Sequence, residues 1–578
     1  MVTTPSGSPY LSRAPAAEPR PAVQHQESLR DTIESVVVAF ILAFVFRAFV
    51  VEAFVIPTGS MASTLYGEHW THNCSMCGYE FAVGANRGQS GKLALPHASL
   101  PCPNCNWEDP VQVSRDDVES GDRILVLKWP LDLSHIFPAL GPKRWDVTVF
   151  KDPKDGETNF IKRLVGLPEE VFMIIDGDVF VAKAQQLPAE LISRLEVIQE
   201  LNYQARQARN VPETRALRAR MDQMRPGVIR DLRPYLRIQR KTGPSQEALW
   251  SVVYDHAHPS RRQRPERGGR SWWQAEPSSG WSVGPGLVSF DGLQQPPSEL
   301  AFVGKSLEDD HAYNVGLPAE SAQARSVTDL RVRFTLFPAG GDGQLRVRLR
   351  KFDDTFVASF DADGTVLLSR VRQEQPGGME VLGRAHLRSL QRGQPLRIEV
   401  QNVDYRVLVR VDGREILATT DEQYRPDLAK LLADRWRPAR SGERPAEVAL
   451  SAQRLRMEIK HLAIERDVYY RSPRIQGSLT GGNPWADLPG WGTEENPIYL
   501  RSGEYFMLGD NSPASEDGRL WSIVGDHLRS RGPDYQVGTV PEDQLIGKAF
   551  FVYWPSGYRP THVRWGLIPN VGRMRWIH

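Results

Sequence analysis

The sequence predicts a mainly β protein: an antiparallel β core, preceded by one apolar helix and interrupted by a small cysteine-bearing insert and a large β-sandwich insert. Three observations carry this reading. Short apolar and β-branched runs separated by turn residues occupy 123–181 and recur over 499–553. The chain has 4 cysteines, and all lie between Cys74 and Cys105. A longer set of strictly alternating strands fills 287–470, with hairpin-type pairs at Asp363-Gly364 and Asp412-Gly413.

The elements follow in order. Residues 1–31 are rich in Pro, Ala, Ser and charge and read as a disordered cytoplasmic tail. Ile33 to Val51 is apolar apart from Glu34, Ser35 and Arg47, which predicts a transmembrane helix over 32–52. A buried core helix and a cleavable signal peptide are the competing readings. Against the second, no small-residue cleavage site follows the apolar run. Arg13, Arg20 and Arg30 precede the span and no Lys or Arg follows it until Arg87, so a single-pass topology with a cytoplasmic N-terminus and an external remainder is expected.

The core is expected in three parts, 53–70, 112–184 and 498–578. The first two are split by the cysteine insertion at 71–111. Leu191, Leu195, Ile198 and Leu201 recur at helical spacing, so 185–286 reads as a helical segment and linker. The sandwich follows over 287–470, and 471–497 is a second linker. With 578 residues, several folded units are expected. A net charge of +1 gives no whole-chain argument for a nucleic-acid partner.

Three blocks bear chemistry. Ser60 lies in Phe54-Val-Ile-Pro-Thr-Gly-Ser-Met61, directly after the apolar run. A serine hydroxyl is a weak nucleophile and needs a base beside it. Lys162, in Asn159-Phe-Ile-Lys-Arg-Leu-Val-Gly-Leu-Pro168, is flanked by apolar residues, and burial can lower a lysine pKa by about 3–5 units from 10.4. On a strand, Arg163 would point away from Lys162. The turn Pro57-Thr-Gly-Ser60 offers amides to a developing oxyanion. The third block is Gly509-Asp-Asn-Ser-Pro-Ala-Ser-Glu-Asp-Gly-Arg519.

In this order, joined by Gly121-Asp122 and Arg144-Trp-Asp-Val-Thr-Val-Phe150, the blocks resemble bacterial type I signal peptidase, a membrane-bound serine protease with a Ser/Lys dyad. The resemblance covers roughly a third of the chain. It implies Ser60 as nucleophile and Lys162 as general base. It implies an oxyanion hole from Thr58 and the Ser60 amide. Ser515 would orient the lysine, and Asp517, Arg519 and Arg163 would form an ion-paired support. Phe54, Ile56, Leu65, Val149 and Ile161 match positions lining pockets for small substrate residues, although plain core packing explains each as well. The sequence departs from the family at Ala62-Ser63, Gly518 and Glu169-Glu170. The implied partners are signal peptides of exported preproteins, the lipid bilayer and the protein secretion machinery. The implied location is the bacterial inner membrane, with the catalytic domain on the external or periplasmic face. No catalytic cofactor is implied.

Cys74-Ser-Met-Cys77 and Cys102-Pro-Asn-Cys105 form a paired C-x2-C pattern. Two such knuckles suit a zinc-ribbon-like site with structural zinc, and two disulfides are the alternative. The 287–470 region, notably Leu396–Val400 and Val411–Ile416, resembles the concanavalin-like fold, which implies a glycan or protein ligand. A second function class stays open: an anchored scaffold on a degenerate protease core. Retention of both Ser60 and Lys162 speaks against it.

Overall fold

A computed structural model describes residues 29–87, 93–94, 99–110, 118–208, 210–263, 270–309, 313, 325–372, 378–390, 392–434, 446–475, 488–556 and 570–578. Most of the expected N-terminal tail lies outside these residues. The chain divides into two units, Met1–Val51 and Glu52–His578.

The first unit holds α1, Leu29–Phe49. Its apolar side chains are exposed, including Val36, Phe40, Leu42 and Phe44. Among the described residues no helix is long and apolar enough to cross a membrane. The expected spanning helix over 32–52 is therefore corrected. Glu34 and Arg47 bracket an uncharged run that rises only about 18 Å, against a hydrocarbon core of about 30 Å. The chain also leaves the helix early, because 51–55 is already extended.

The second unit is mainly β, as expected. Its strands outside the sandwich begin with β1 (Val51–Val55), β2 (His69–Asn73) and β3 (Glu80–Gly84), the last two a separate hairpin, then β4 (Arg123–Leu127), β5 (Val147–Lys151), β6 (Asn159–Gly166), β7 (Glu170–Ile175) and β8 (Asp178–Lys183). The long sandwich strands are β9 (Leu330–Lys351) and β10 (Glu447–Arg466). Last come β11 (Ile498–Leu500), β12 (Glu504–Leu508) and β13 (Leu545–Trp554). One core sheet runs β1-β4-β13-β5-β6-β12, and Val540–Pro541 follows β12. A second sheet joins β7 and β8 to β11 and to Arg237–Ile238. The β7–β8 hairpin turns at Asp176-Gly177, both with positive φ (51° and 86°), as its sequence predicts. The return of β11 to β13 into these sheets rejoins the core after the insertion.

The register within the core decides the site. Lys162 stands opposite Thr148 of β5. Pairing of β6 with β12 starts only at Arg163, opposite Leu508. The Asn159–Lys162 half of β6 is therefore paired on its β5 side and has no ladder partner on the other, among the described residues. At the far end of the sheet β1 is an edge strand.

Residues expected as helix and linker form α2 (Ala189–Gln207) and α3 (Val211–Leu232), and then strands. Ser251–Asp255 pairs with the end of β10, and Trp273–Ala275 pairs with Ser298–Phe302. The sandwich sheet thus reaches further back along the chain than residue 287. Its first strands are short and rich in Trp and polar residues, so alternation did not reveal them. The long β9 and β10 pair along most of their length, with irregularities at 333–335, 338–340 and 341–344. A further helix, α4 (Leu428–Asp434), packs at the side of the sandwich.

Candidate active site

Ser60 occupies a short 3-10 turn, Gly59–Met61, and all three residues of the turn are buried. Thr58 before it is extended (φ −123°, ψ 157°) and exposed. The turn is propped from several sides. Ile56 N–H donates to the Asp122 carbonyl (2.9 Å), and the Asp122 carboxylate accepts from Tyr66 N–H (3.0 Å) and Arg575 (2.9 Å). Asn511 holds the turn from the opposite side. Its side chain donates to the Gly59 carbonyl (3.0 Å) and its N–H to the Ser60 carbonyl (3.0 Å).

Lys162 reaches this turn from β6. Its Nζ lies 2.8 Å from Ser60 Oγ and 3.2 Å from the Ile161 carbonyl oxygen. The Phe160 ring lies 5.3 Å away. Lys162 is 5 % exposed and Ser60 9 %. Burial pulls the lysine pKa down to about 8, only partly opposed by the more distant Asp517 and Glu516. Among the described residues no carboxylate forms an ion pair with it. Ser60 and Lys162 are thus adjacent in a dry site, with the amine near the pKa that a general base needs at neutral pH.

Alternation along β6 sends Arg163 to the other face, where it is fully buried. There the expected support is redistributed. Arg163 binds both oxygens of Asp510 (2.8 Å each) and the Trp145 and His578 carbonyls (2.7 and 2.9 Å). Arg519 pairs with Asp517 instead (2.8 and 2.6 Å), and Asp517 also accepts from Gly509 N–H (2.9 Å). The expected three-member cluster of Arg163, Asp517 and Arg519 is therefore two separate pairs. Asp510 and Asp517 of the third block each bind a different arginine. Sequence reasoning missed Asp510, Asn511 and Ser512 as structural members of the site. The signal was present: all three lie in the quoted 509–519 block. Ser512 Oγ accepts from Arg519 and from Arg471 N–H (2.8 Å each).

Ser515 Oγ is buried and makes no hydrogen bond. It sits close to the nucleophile turn through Gly509. A Cβ at Gly509 would fall 2.2 Å from Ser515 Oγ and 2.5 Å from the Ser60 carbonyl oxygen, so only glycine lets the three segments meet. Phe54, Ile56, Leu65, Val149 and Ile161 all join one apolar cluster with Met61. Within it Ile56, Leu65 and Val149 are fully buried, and Phe54 and Ile161 are half-buried.

The four cysteines also converge. Cys74 Sγ is 3.7 Å from Cys105 Sγ, and Cys77 Sγ is 3.6 Å from Cys102 Sγ. All four sulfurs lie within 4.8 Å of one another. These gaps far exceed a disulfide bond of about 2.05 Å. They approach the ~3.8 Å edge of a thiolate tetrahedron built on Zn–S distances of about 2.3 Å. The two knuckles repeat one backbone design. Gly78 N–H donates to Cys74 O and Asn106 N–H to Cys102 O, and both residues have positive φ (73° and 54°). Asn104 Nδ2 lies 3.7 Å from Cys77 Sγ, so a side-chain donor also faces the sulfurs.

Comparison with known proteins matches segments that contain Lys162 and the 509–519 block and leave out Ser60. The family described as "Signal peptidase, peptidase S26" matches residues 105–220 and 448–554. Signal peptidase I of Rickettsia bellii (strain OSU 85-389) is 25 % identical over 148 residues, 26 % of this chain and 38 % of the relative. Signal peptidase I of Pseudomonas fluorescens is 38 % identical over 72 residues, 12 % of this chain and 23 % of the relative. That of Rickettsia prowazekii (strain Madrid E) is 24 % identical over 166 residues, 28 % and 47 % respectively. The chain thus spans less than half the length of each of these relatives. Among solved structures, carbohydrate binding module CBM66 from Bacillus subtilis matches 34 % of this chain and 95 % of its own at 11 % identity, with a TM-score of 0.22, too low to carry over any property. Over residues 105–220 and 448–554 the chain is thus similar to the family described as signal peptidase, peptidase S26.

Proposed function

We propose that this protein cleaves signal peptides from exported preproteins after small residues, with Ser60 as nucleophile and Lys162 as general base. The observation that carries this is the 2.8 Å approach of Lys162 Nζ to Ser60 Oγ inside a buried site without a paired carboxylate. A neutral amine takes the Ser60 proton as Oγ attacks the scissile carbonyl. The Ser60 amide and the Thr58 hydroxyl receive the oxyanion. The protonated lysine then gives its proton to the leaving amine. In the second half, Lys162 takes a proton from water, which hydrolyses the acyl-enzyme. The half-strand Asn159–Lys162, open on one side, offers backbone groups to an extended substrate. Phe54 and Ile161 are half-buried members of the apolar cluster that would accept its small side chains. The Arg163–Asp510 and Asp517–Arg519 pairs hold the two segments in place, and buried Ser515 lies beside the nucleophile turn without a bond to Lys162.

The cysteine cluster would hold structural zinc, closed by four thiolates and outside the chemistry. It stabilises the β2–β3 hairpin, whose base meets the nucleophile turn where Glu68 N–H donates to the Pro57 carbonyl (3.3 Å). The exposed apolar surface of α1 supports attachment to the lipid bilayer and work beside the secretion machinery.

The test uses purified full-length protein and a preprotein with a small-x-small cleavage site. Wild type should release the mature protein, and Ser60→Ala and Lys162→Ala should not. An inactive wild type, or a variant that cleaves normally, refutes the reading. Elemental analysis should find one zinc per chain, with four titratable thiols after denaturation in chelator.

A further inference from the structure

A cleft of about 460 Å³ lies outside the Ser60–Lys162 site and shares no residue with it. One wall is α3. Arg218, Asp222, Arg225 and Ile229 recur every three or four residues and so share one face of the helix, and Arg233 continues the stripe. The facing wall is α4, with Ala429, Leu432 and Ala433. Arg474 and Glu495 close the third side, on the segment returning from the sandwich to the core.

The lining is chemically lopsided. It holds five arginines, Arg230 among them, against two carboxylates. Asp222 is taken by Arg225 (2.5 Å) and, more loosely, by Arg218 (3.8 Å). Glu495 is taken by Arg474. Arg230 leans on Asp231 (3.0 Å), but its side chain is 72 % exposed. Arg233 forms no ion pair among the described residues. Positive charge is thus in excess over a floor made apolar by Pro226, Ile229 and Leu432.

We propose that this cleft binds a phosphate ester carried on an apolar chain. A guanidinium presents paired donors in a planar fork, and a tetrahedral phosphate can accept from several forks at once. A phosphate monoester carries about −1.5 to −2 at pH 7, nearer the surplus of the lining than a single carboxylate. The apolar floor takes the attached chain. The ester can be a soluble molecule or the headgroup of an anionic lipid, and the two sources are separable. This proposal does not depend on the peptidase reading.

The probe is n-octyl phosphate, below its micellar concentration, titrated calorimetrically into the full-length protein. It should bind about tenfold more tightly than inorganic phosphate, because only the ester uses the floor. The double variant Arg230→Gln/Arg233→Gln should weaken it about tenfold, and 0.5 M salt should weaken it severalfold. Equal binding by wild type and the double variant, or equal affinity for octyl phosphate and inorganic phosphate, overturns the proposal. Ile229→Gln is a second check, since it keeps the charges and should erase the advantage of the octyl chain. Unchanged thermal midpoints and preprotein cleavage would show that the variants fold. In the second arm, retention on vesicles containing phosphatidic acid, a lipid phosphate monoester, is compared with phosphatidylcholine vesicles. A matching loss in the double variant assigns the ester to a lipid. Unaltered retention alongside weakened octyl phosphate binding overturns the lipid source and assigns a soluble ester.

Discussion

Two buried lysines in this chain meet opposite fates. Lys162 ends beside Ser60, the Ile161 carbonyl and the Phe160 ring. Burial lowers its pKa to about 8. Lys351, at the end of β9, is equally buried but lies against Asp329 and, at 3.7 Å, Asp178 of β8. Burial again pulls downward there, but the attraction of Asp329 and Asp178 outweighs it, and the ammonium is held well above the ordinary lysine range. Lys241 repeats this arrangement with Asp404 (2.6 Å) and Asp467 (2.7 Å). Burial alone therefore does not make a base. The absence of a paired carboxylate is what separates the lowered lysine from the raised ones. The paired lysines instead join the sandwich to the second core sheet through a charged network that also includes the Asp404 N–H bond to Asp329 (2.8 Å).

The sharpest test replaces Lys162 with Arg, which stays protonated at any working pH. Cleavage of a preprotein should fall by about 10⁴-fold, as for a lost member of a catalytic unit. Lys162→Met should lose as much activity, yet its denaturant midpoint should equal or exceed that of wild type, since no buried ion pair is broken. A Lys162→Arg variant within tenfold of wild type would end the argument for a neutral base.

The opposite pattern is expected at the second lysine. Lys351→Met leaves Asp178 and Asp329 buried without their cation, and should cost about 3–5 kcal/mol of stability in urea unfolding. Cleavage per folded molecule should hardly change. A cost below about 1 kcal/mol would mean that the network is solvated and weak.

This contrast also shows what the sequence could disclose. Lys162 and Ser60 were legible because their blocks are local and their flanks apolar. The same holds for the paired C-x2-C knuckles. The Arg163–Asp510 pair was not, because alternation says which way Arg163 points but not which acid of the third block it meets. The charged network was hidden altogether. Asp178, Lys241, Asp329, Lys351, Asp404 and Asp467 come from distant segments, and each alone reads as a solvated residue. The spanning helix is not supported, since no helix among the described residues is long and apolar enough to cross a membrane. The early sandwich strands at 251–255 and 273–275 are fixed by pairing with partners elsewhere in the sheet, which a local pattern does not encode.

The comparison can also be broken on purpose by giving Lys162 a counterion. Thr148 is its cross-strand neighbour on β5 and is buried. Directly opposed side chains lie about 5 Å apart at Cβ. Thr148→Asp should raise the lysine pKa by about 1–3 units. The rising limb of kcat/KM against pH, near pH 8 in wild type, should move to about pH 9 or above, and the rate at pH 7 should drop about 10- to 1000-fold. Recovery of the rate at high pH separates a retitrated base from a misfolded one. A limb that stays near pH 8 would show that the group it reports is not Lys162.

Wild-type stability gives the smallest effect, and its sign is diagnostic. The folded pKa of Lys162, about 8, lies below the unfolded value of 10.5. Between these values the unfolded chain binds more protons than the folded one, so stability rises with pH. The slope from this group is at most about 1.4 kcal/mol per pH unit. Lys351 shifts the other way. Its contribution is fully present below pH 10.5 and is lost only above its raised folded value. Between pH 8 and 10, wild type should therefore gain stability relative to Lys162→Met, whereas its margin over Lys351→Met should stay flat. Urea unfolding of the three proteins at pH 7, 8, 9 and 10 reads both slopes. If the two margins change in parallel, the two lysines are not electrostatically different, and the absence of a counterion cannot be what sets Lys162 apart.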